Sequence, residues 1–89
     1  MANFGVYILE SIKNNRYYVG STDNVFRRIK EHNAGRVPST KNTRPWIIKV
    51  FIECTDLGDA RSSEYRLKKY KRKDILKKVI QDKTFPWNH

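Results

Sequence analysis

Two segments near the start of the chain have the pattern of paired strands. Residues 4–11 and 16–21 are rich in β-branched and aromatic side chains, and the turn-forming residues Lys-Asn-Asn lie between them at positions 13–15. Apolar runs of this length, bounded by a polar turn, predict an antiparallel hairpin. Because side chains alternate across a strand, Val6 should face one side of the sheet and Tyr7 the other.

The second strand of the predicted hairpin carries the same alternation. Tyr18 and Gly20 should share one face, and Tyr17 and Val19 should share the opposite face. We therefore expect the hairpin to hold Tyr7 and Tyr18 at a fixed separation. Phenols held in this way are able to take part in proton transfer.

A helix, a loop and a third strand are predicted after the hairpin. Residues 21–23, Ser-Thr-Asp, are N-cap candidates for a helix over residues 25–34, and Gly35 is its predicted stop. Residues 35–45 are polar and contain two prolines, which indicates a loop. Residues 46–53 alternate and cluster apolar side chains, which predicts the third strand.

Four side chains define the orientation of this first helix. Val25 and Ile29 are four residues apart and form its predicted buried stripe. Arg28 and His32, also four apart, are expected along the border of that stripe, beside the apolar face.

Two further helices are predicted in the last third of the chain. One should begin near Asp56, with Asp59 in a capping-box-like position, and should run to about residue 71. Glu64 shares a face of this helix with Ala60 and Leu67, so we expect it to face the body of the domain. The other helix is predicted to be capped by Asp74 and to bury four apolar residues: Ile75, Leu76, Val79 and Ile80. Residues 86–89 are expected to form a short tail, and the tryptophans at 46 and 87 are assigned to packing.

Length and composition indicate one folded domain over residues 1–89. The chain is 38% hydrophobic and 31% charged, which suits a compact domain better than a disordered segment. Its single cysteine, Cys54, is expected to be a small packing residue and favours a reducing, cytoplasmic location, as does the absence of a signal-like N-terminus. No apolar run is long enough to cross a bilayer, so no membrane partner is expected.

The charge of the chain favours a polyanionic partner. It has 19 Lys and Arg against 9 Asp and Glu, a formal charge of +10. Neutralising phosphates releases condensed counterions, so nucleic acid is the favoured partner, and solubility alone is the alternative.

An ordered set of aromatic, basic and acidic residues runs through the predicted elements: Gly5-Val6-Tyr7, Tyr18-Val19-Gly20-Ser21-Thr22, Arg28, His32 and Glu64. With this set the chain resembles the GIY-YIG nuclease superfamily, in particular its small single-domain members. The resemblance implies an α+β fold, with a three-stranded antiparallel sheet flanked by about three helices. It also implies hydrolysis of a DNA phosphodiester bond with one divalent metal ion, usually Mg²⁺ or Mn²⁺.

The resemblance also implies a role for each residue at a matching position. Tyr7 corresponds to the first motif tyrosine, a candidate general base or water orienter, and Tyr18 to the second, near the scissile phosphate. Arg28 corresponds to the arginine that stabilises the phosphate, and His32 occupies a position where members carry His or Tyr. Glu64 corresponds to the metal ligand.

Further residues are candidates for contact with nucleic acid. In the resemblance, Gly20 lets the backbone approach the substrate closely, and Lys41 matches a basic residue of a loop. Arg44 lies in the same loop, and Lys68 and Lys69 lie in the basic run over residues 68–73. That run is either a solvated basic face or a set of phosphate contacts.

The residue types suit the chemistry of phosphodiester hydrolysis. Attack on the phosphorus builds negative charge, so the reaction needs a cationic side chain, a metal ion and a proton acceptor. A phenol with a pKa near ~10 is a poor base at neutral pH, so Tyr7 would need nearby cations or the help of His32. A divalent ion held by Glu64 alone would keep most of its waters and bind weakly without DNA.

Three functions are open at this point. The first is a metal-dependent DNA endonuclease or nickase, with a role in DNA repair or recombination. The second is a nucleic-acid-binding module with the same fold and little or no hydrolytic activity, in which Glu64 is only a surface ion pair. The third is a subunit that acts when a partner protein recruits it.

Overall fold

The computed structural model describes residues 3–70 and 72–88. Within these residues the chain forms three strands and three helices, in the order β1 (Gly5–Ser11), β2 (Tyr17–Thr22), α1 (Val25–Asn33), β3 (Trp46–Glu53), α2 (Leu57–Lys68) and α3 (Lys73–Asp82). A 3₁₀ turn at Lys41–Thr43 precedes β3. The predicted α+β class and the predicted number of elements are confirmed.

The strands form one antiparallel sheet in the order β2-β1-β3. β1 is therefore central, and it pairs with β2 so that Tyr7 lies directly opposite Gly20. Its pairing with β3 places Gly5 opposite Glu53 and shifts register once, between Ile8 and Leu9. Because β2 is an edge strand, groups from both faces of the sheet are able to approach one another around it.

The two faces of the sheet bury different clusters, as the alternation in the sequence predicts. One face carries the core formed with α2, α3 and the segment after α3: Val6, Ile8, Val19, Val50, Leu67, Val79 and Phe85. The other face carries a second cluster against α1: Tyr7, Leu9 and Trp46, with Tyr18, Val25, Ile29, Ile48 and Phe51 around them. Burial of apolar area on both faces of β1 is the main source of stability in a domain of this size.

The N-cap prediction for α1 is wrong. Asn24, and none of residues 21–23, caps the helix, because its side chain accepts a hydrogen bond from the Arg27 backbone N–H. Thr22 still belongs to β2, and its Oγ1 accepts from the Asn24 backbone N–H at 3.1 Å, which fixes the turn into the helix. The predicted stop is consistent with the structure, since Ala34 is the C-cap and Gly35 follows with a φ of +78°.

The later helices begin and end close to the predicted positions. Asp56 caps α2 by accepting from the Asp59 backbone N–H at 2.7 Å, as expected for a helix that begins there. α2 ends at Lys68 with Lys69 as its C-cap, about three residues before the predicted end; residue 71 itself lies outside the described residues. Asp74 does not cap α3; Arg72 is the N-cap residue, and Asp74 lies inside the first turn, ion-paired with Arg72.

The chain after α3 packs on α2. Phe85 is buried, and the Trp87 ring stacks on it with 4.8 Å between ring centroids. The Arg66 guanidinium lies 4.2 Å from the centroid of the Trp87 ring, which adds a cation–π contact. Packing roles for both tryptophans are confirmed, since Trp46 is also buried. Residue 89 of the predicted tail is outside the described part of the chain.

Across the described residues, no helix combines the length and the apolar character needed to span a bilayer.

Candidate active site

Tyr7 lies at the centre of the sheet and points toward α1. Its side chain is buried, and its Oη lies 2.9 Å from His32 Nε2. Gly20, its partner on β2, gives the phenol this space, because a Cβ at position 20 would overlap Tyr7 Oη and Cζ. Gly20 is itself buried, so the packing of Tyr7 is a sufficient reason for a glycine here, separate from the expected approach of DNA.

His32 is more deeply buried than its predicted place at the border of the apolar stripe. Of the nine residues of α1, all of them described, it is the one that is buried. Its Nδ1 lies 2.8 Å from Thr40 Oγ1, and that hydroxyl donates to the Val37 carbonyl oxygen at 3.3 Å. Since the Thr40 proton is used there, we assign the His32 proton to Nδ1. His32 Nε2 then accepts the proton of the Tyr7 phenol.

Arg28 contacts the same phenol from the solvent side. Its Nε donates to Tyr7 Oη at 3.4 Å, and its Nη1 pairs with Glu31 Oε1 at 3.0 Å. The hydrogen bond to Tyr7 and the pairing with Glu31 raise the pKa of the Arg28 guanidinium, so it is cationic at every working pH. With about a third of its side chain exposed, Arg28 connects the buried phenol to the surface.

Burial keeps Tyr7 and His32 uncharged at neutral pH. Desolvation raises the pKa of Tyr7 to about 12, against a smaller lowering by Arg28. Desolvation, helped by the nearby Arg28 charge, lowers the pKa of His32 from 6.5 to about 4. The nearby cation on which the base role of Tyr7 was predicted to depend is present, but burial outweighs it.

Glu64 reaches the edge strand β2 from the other face of the sheet. Its Oε1 accepts a hydrogen bond from Ser21 Oγ, and its Oε2 is ion-paired with Lys68 Nζ at 2.5 Å. The Glu64 side chain is 21% exposed, and Ala60 and Leu67 on the same helix face are buried. The expectation that this acid faces the domain is confirmed, and its ion pair is with a neighbour on its own helix.

Tyr18 lies between the Tyr7–His32 pair and the Lys68 ammonium. Its ring is edge-on to the His32 ring, with 5.0 Å between centroids, and its centroid is 6.3 Å from that of Tyr7. Lys68 Nζ lies 5.7 Å from the centroid of the Tyr18 ring. The five predicted catalytic residues therefore converge on one region of the sheet, around β2.

An open cleft of about 320 Å³ lies at the β2 edge of the sheet. The residues around it come from β2, α1 and α2: Ser21, Thr22, Asp23, Arg27, Arg28, Glu31, Leu57 and Arg61. Arg27 pairs with Asp23 and Arg28 with Glu31, whereas Arg61 has no acidic partner within the described residues. The surplus positive charge suits a phosphate group.

Glu64 offers a single carboxylate as a ligand for a hard divalent cation. Its carboxylate is fixed by Ser21 and already faces one cation, Lys68. The part of the chain that the structure describes contains no group of three or more His, Cys, Asp or Glu placed to hold a metal ion. Further ligands for such an ion would be water and substrate oxygens, a composition typical of Mg²⁺.

The predicted nucleic-acid contacts outside this region stay at the surface. Lys41 and Arg44 are exposed in the loop before β3, where the Arg44 guanidinium packs beside Gly35. Lys69 is exposed, with its Nζ 4.5 Å from the centroid of the Tyr65 ring. Of the described residues in the basic run, which leave out residue 71, Lys68 is the one ion-paired with Glu64.

Three residues of the site were not assigned a function from the sequence. Ser21 anchors Glu64, Thr40 orients His32, and Arg61 adds a guanidinium to the cleft. Ser21 lies 43 residues from Glu64 along the chain, so no local pattern indicates their contact. Arg61 is three residues before Glu64, and helical spacing alone would have placed it next to that acid.

Comparison with known proteins identifies the family of the chain. Residues 3–78 match the family described as the GIY-YIG catalytic domain. The chain belongs to the GIY-YIG family. No solved structure gives a significant match.

Relatives of two kinds match this GIY-YIG chain. A UPF0213 protein of Staphylococcus haemolyticus is 36% identical over 80 residues, which cover 89% of this chain and 96% of that protein. A UPF0213 protein of Listeria monocytogenes is 39% identical over 76 residues, which cover 84% of each. The structure-specific endonuclease subunit SLX1 of Yarrowia lipolytica is 45% identical over 56 residues, which cover 55% of this chain and 19% of SLX1. Similarity to the UPF0213 proteins thus extends over most of both chains, whereas similarity to SLX1 is confined to one segment of that protein.

Proposed function

We propose that this GIY-YIG protein is a metal-dependent DNA endonuclease or nickase with broad or structure-dependent specificity. One observation carries the proposal: Arg28 donates to the Tyr7 phenol, which in turn contacts the His32 imidazole. A guanidinium and a proton acceptor thus meet at one oxygen atom. Family membership and the SLX1 relative, named a structure-specific endonuclease subunit, support the choice of a nuclease.

In this proposal the scissile phosphate binds in the cleft beside β2. Arg28 is the cation nearest the phenol, and its charge stabilises the negative charge that develops on the nonbridging oxygens. Arg61 lies on the opposite, α2 side of the same cleft and adds a second positive charge. Both guanidinium groups are suited to paired hydrogen bonds with phosphate oxygens.

The proton of the attacking water passes to Tyr7 while the Tyr7 proton passes to His32. With a pKa of about 12, only about one Tyr7 in 10⁵ is ionised at pH 7, whereas almost every His32 is neutral and able to accept a proton. His32 Nε2 is therefore the base that is present at neutral pH, and Tyr7 connects it to the water. Thr40 holds His32 in the required tautomer.

Glu64 holds the divalent ion in this proposal, with Mg²⁺ or Mn²⁺ as the expected ion. Such an ion supplies Lewis-acid stabilisation of the phosphate charge when it is bound. Ser21, which also lines the cleft, fixes the carboxylate at its edge and so orients the ligand.

A second candidate function is a nucleic-acid-binding module with little or no hydrolysis. It is favoured by the contacts of Glu64, whose two carboxylate oxygens are occupied by Ser21 and Lys68. If Lys68 stays there when DNA binds, no metal site forms.

The cellular setting is also part of the proposal. A role in DNA repair or recombination belongs to it as a consequence of the proposed DNA cleavage. Recruitment by a partner protein is supported by the SLX1 relative, which is named a subunit of a structure-specific endonuclease. A cytoplasmic location is supported by the presence of a single cysteine, Cys54.

Cleavage assays on supercoiled, branched and single-stranded DNA test the proposal. The wild type should cut at least one substrate with Mg²⁺ or Mn²⁺, Glu64→Ala should not cut, and Tyr7→Phe should be strongly impaired. Glu53→Ala is the matched control, because this glutamate is exposed at the end of β3.

Binding without cleavage of any of the three DNAs would contradict the endonuclease and support the binding module. Equal cleavage by the wild type and Glu64→Ala would remove Glu64 from the mechanism.

A further inference from the structure

Lys68 forms an ion pair with Glu64, the predicted metal ligand. Lys68 Nζ lies 2.5 Å from Oε2, and Ser21 Oγ donates to Oε1 of the same carboxylate. One oxygen of Glu64 is therefore engaged by a neutral hydroxyl and the other by a cation.

The carboxylate of this pair is less exposed than that of the pair at the same spacing on α3. The Glu64 side chain is 21% exposed, against 43% for Asp82, which pairs with Lys78 at the same spacing on α3. Exposed pairs of this kind contribute little because water screens them and both side chains lose freedom. At Glu64 the carboxylate is already fixed by Ser21 and is partly removed from water, so the pairing with Lys68 is favoured.

Of the two carboxylate oxygens of Glu64, Oε2 is the one without the Ser21 hydrogen bond, so a divalent ion that leaves this bond in place binds the oxygen that Lys68 contacts. Mg²⁺ binds carboxylate oxygens at about 2.0–2.1 Å. An ammonium group in contact with that oxygen would lie close to the ion and repel it. The two cations therefore compete for Oε2.

We propose that Lys68 occupies the cation position of Glu64 in the metal-free protein, and that a divalent ion binds there by displacing the Lys68 ammonium. This inference rests on the proposed function, in which Glu64 is the metal ligand. Lys68 thereby acts as a positioning residue. It keeps the carboxylate neutralised while no metal is bound, so that Glu64 does not repel the phosphates of DNA.

Displacement of Lys68 lowers the affinity for metal. Removing a partly exposed competitor of this kind should strengthen metal binding about three- to fivefold. The long Lys68 side chain is 47% exposed, so the ammonium is able to move into solvent or toward a phosphate when it leaves Glu64.

The test uses Mn²⁺ alone as the probe, with free Mn²⁺ measured by electron paramagnetic resonance in the absence of DNA. Lys68→Met and Lys68→Gln should each bind Mn²⁺ about three- to fivefold more tightly than the wild type. Lys69→Met is the control, since it removes the same charge from the next residue, which contacts the Tyr65 ring. As a second measurement, a given Mn²⁺ concentration should raise Tm more in the Lys68 variants than in the wild type.

Unchanged or weaker Mn²⁺ binding in both Lys68 variants would overturn the proposal, as would an equal gain in Lys69→Met. Glu64→Gln separates this failure from failure of the proposed function. If Glu64→Gln binds Mn²⁺ poorly while the Lys68 variants equal the wild type, only the role of Lys68 is wrong. If Glu64→Gln binds Mn²⁺ as well as the wild type, neither the role of Lys68 nor the metal site at Glu64 holds.

Discussion

The Tyr7 phenol and the His32 imidazole are hydrogen-bonded inside the protein, with 2.9 Å between Oη and Nε2. Tyr7 comes from the central strand and His32 from the last turn of α1. Both groups are buried, and burial shifts the pKa of each toward its neutral form. The pair is thus held together without any charge of its own.

His32 should make the stability of the protein depend on pH between 6.5 and about 4. In this range the unfolded chain binds a proton at His32 while the folded protein does not, so stability is lost as the pH falls. The difference between a pKa of 6.5 and one of about 4 corresponds to about 3 kcal/mol. The free energy of unfolding, measured in urea from pH 7 to pH 4.5, should fall more steeply in the wild type than in His32→Gln.

His89, the other histidine of the chain, and the carboxylates are present in both proteins, so their contributions to the two slopes cancel in the comparison. Parallel slopes in the two proteins would mean that His32 titrates normally in the fold.

The lowered pKa of His32 also predicts how cleavage depends on pH. If neutral His32 accepts the proton, kcat/KM at saturating Mn²⁺ should stay high as the pH falls through 6.5 and should decline only toward pH 4. Initial rates of nicking of supercoiled DNA, measured at low substrate between pH 8 and pH 5, would check this. A decline centred near pH 6.5 would indicate a histidine of ordinary pKa.

Much of the fold follows from local sequence patterns, whereas the contacts that set the pKa values do not. The alternation around Tyr7 predicts its face of the sheet correctly, because a strand has a fixed period of two. Local patterns do not predict the burial of His32. Helical spacing gives the direction of its side chain, but how deeply the side chain is buried depends on Thr40 and the loop before β3. Likewise, Asn24 caps α1 because β2 continues to Thr22, one residue past the predicted end of the strand, where it pairs with Gly5.

Gly20→Ala should destabilise the protein by about 1–3 kcal/mol. The new Cβ would overlap the Tyr7 phenol, and a close-packed core resists this overlap. Chemical denaturation gives the loss in stability, and cleavage should also fall because Tyr7 moves. Gly58→Ala is the control: it lies in the first turn of α2, where a Cβ would lie 3.3 Å from Asp56 Oδ1, a much milder contact, so its effect should be much smaller than that of Gly20→Ala. Equal effects of the two substitutions would contradict the close contact of Gly20 with Tyr7.

Arg28→Ala should lower turnover far more than affinity for DNA. The guanidinium acts on charge that develops in the transition state, so kcat should fall by about 10²–10³-fold with a small change in Kd. Arg27 is the matched residue, since it pairs with Asp23 at the surface and makes no contact with Tyr7. Single-turnover cleavage and fluorescence anisotropy separate the two effects. Equal losses of turnover and affinity in Arg28→Ala would make it a plain phosphate anchor.

Lys41 and Arg44 should contribute to the salt dependence of DNA binding. Each phosphate contact adds about 0.9 to the slope of log K against log[salt] on duplex DNA, so each alanine variant should reduce the slope by about 1. Lys77→Ala is the control, because it is exposed on α3, the helix that packs on the opposite face of the sheet from α1. A slope unchanged in Lys41→Ala and Arg44→Ala would place the DNA elsewhere on the protein.

The two motif glycines make room for neighbouring protein groups. Gly20 makes room for Tyr7, and a Cβ at Gly5 would overlap the ring of Phe51 and the carbonyl oxygen of Ile52 on β3. Selection for a well-packed sheet would retain both glycines even in a descendant that had lost the ability to cut DNA. The glycines of the two triplets are therefore markers of the fold, and the presence of Tyr7, Arg28 and Glu64 is the better guide to which descendants are still enzymes.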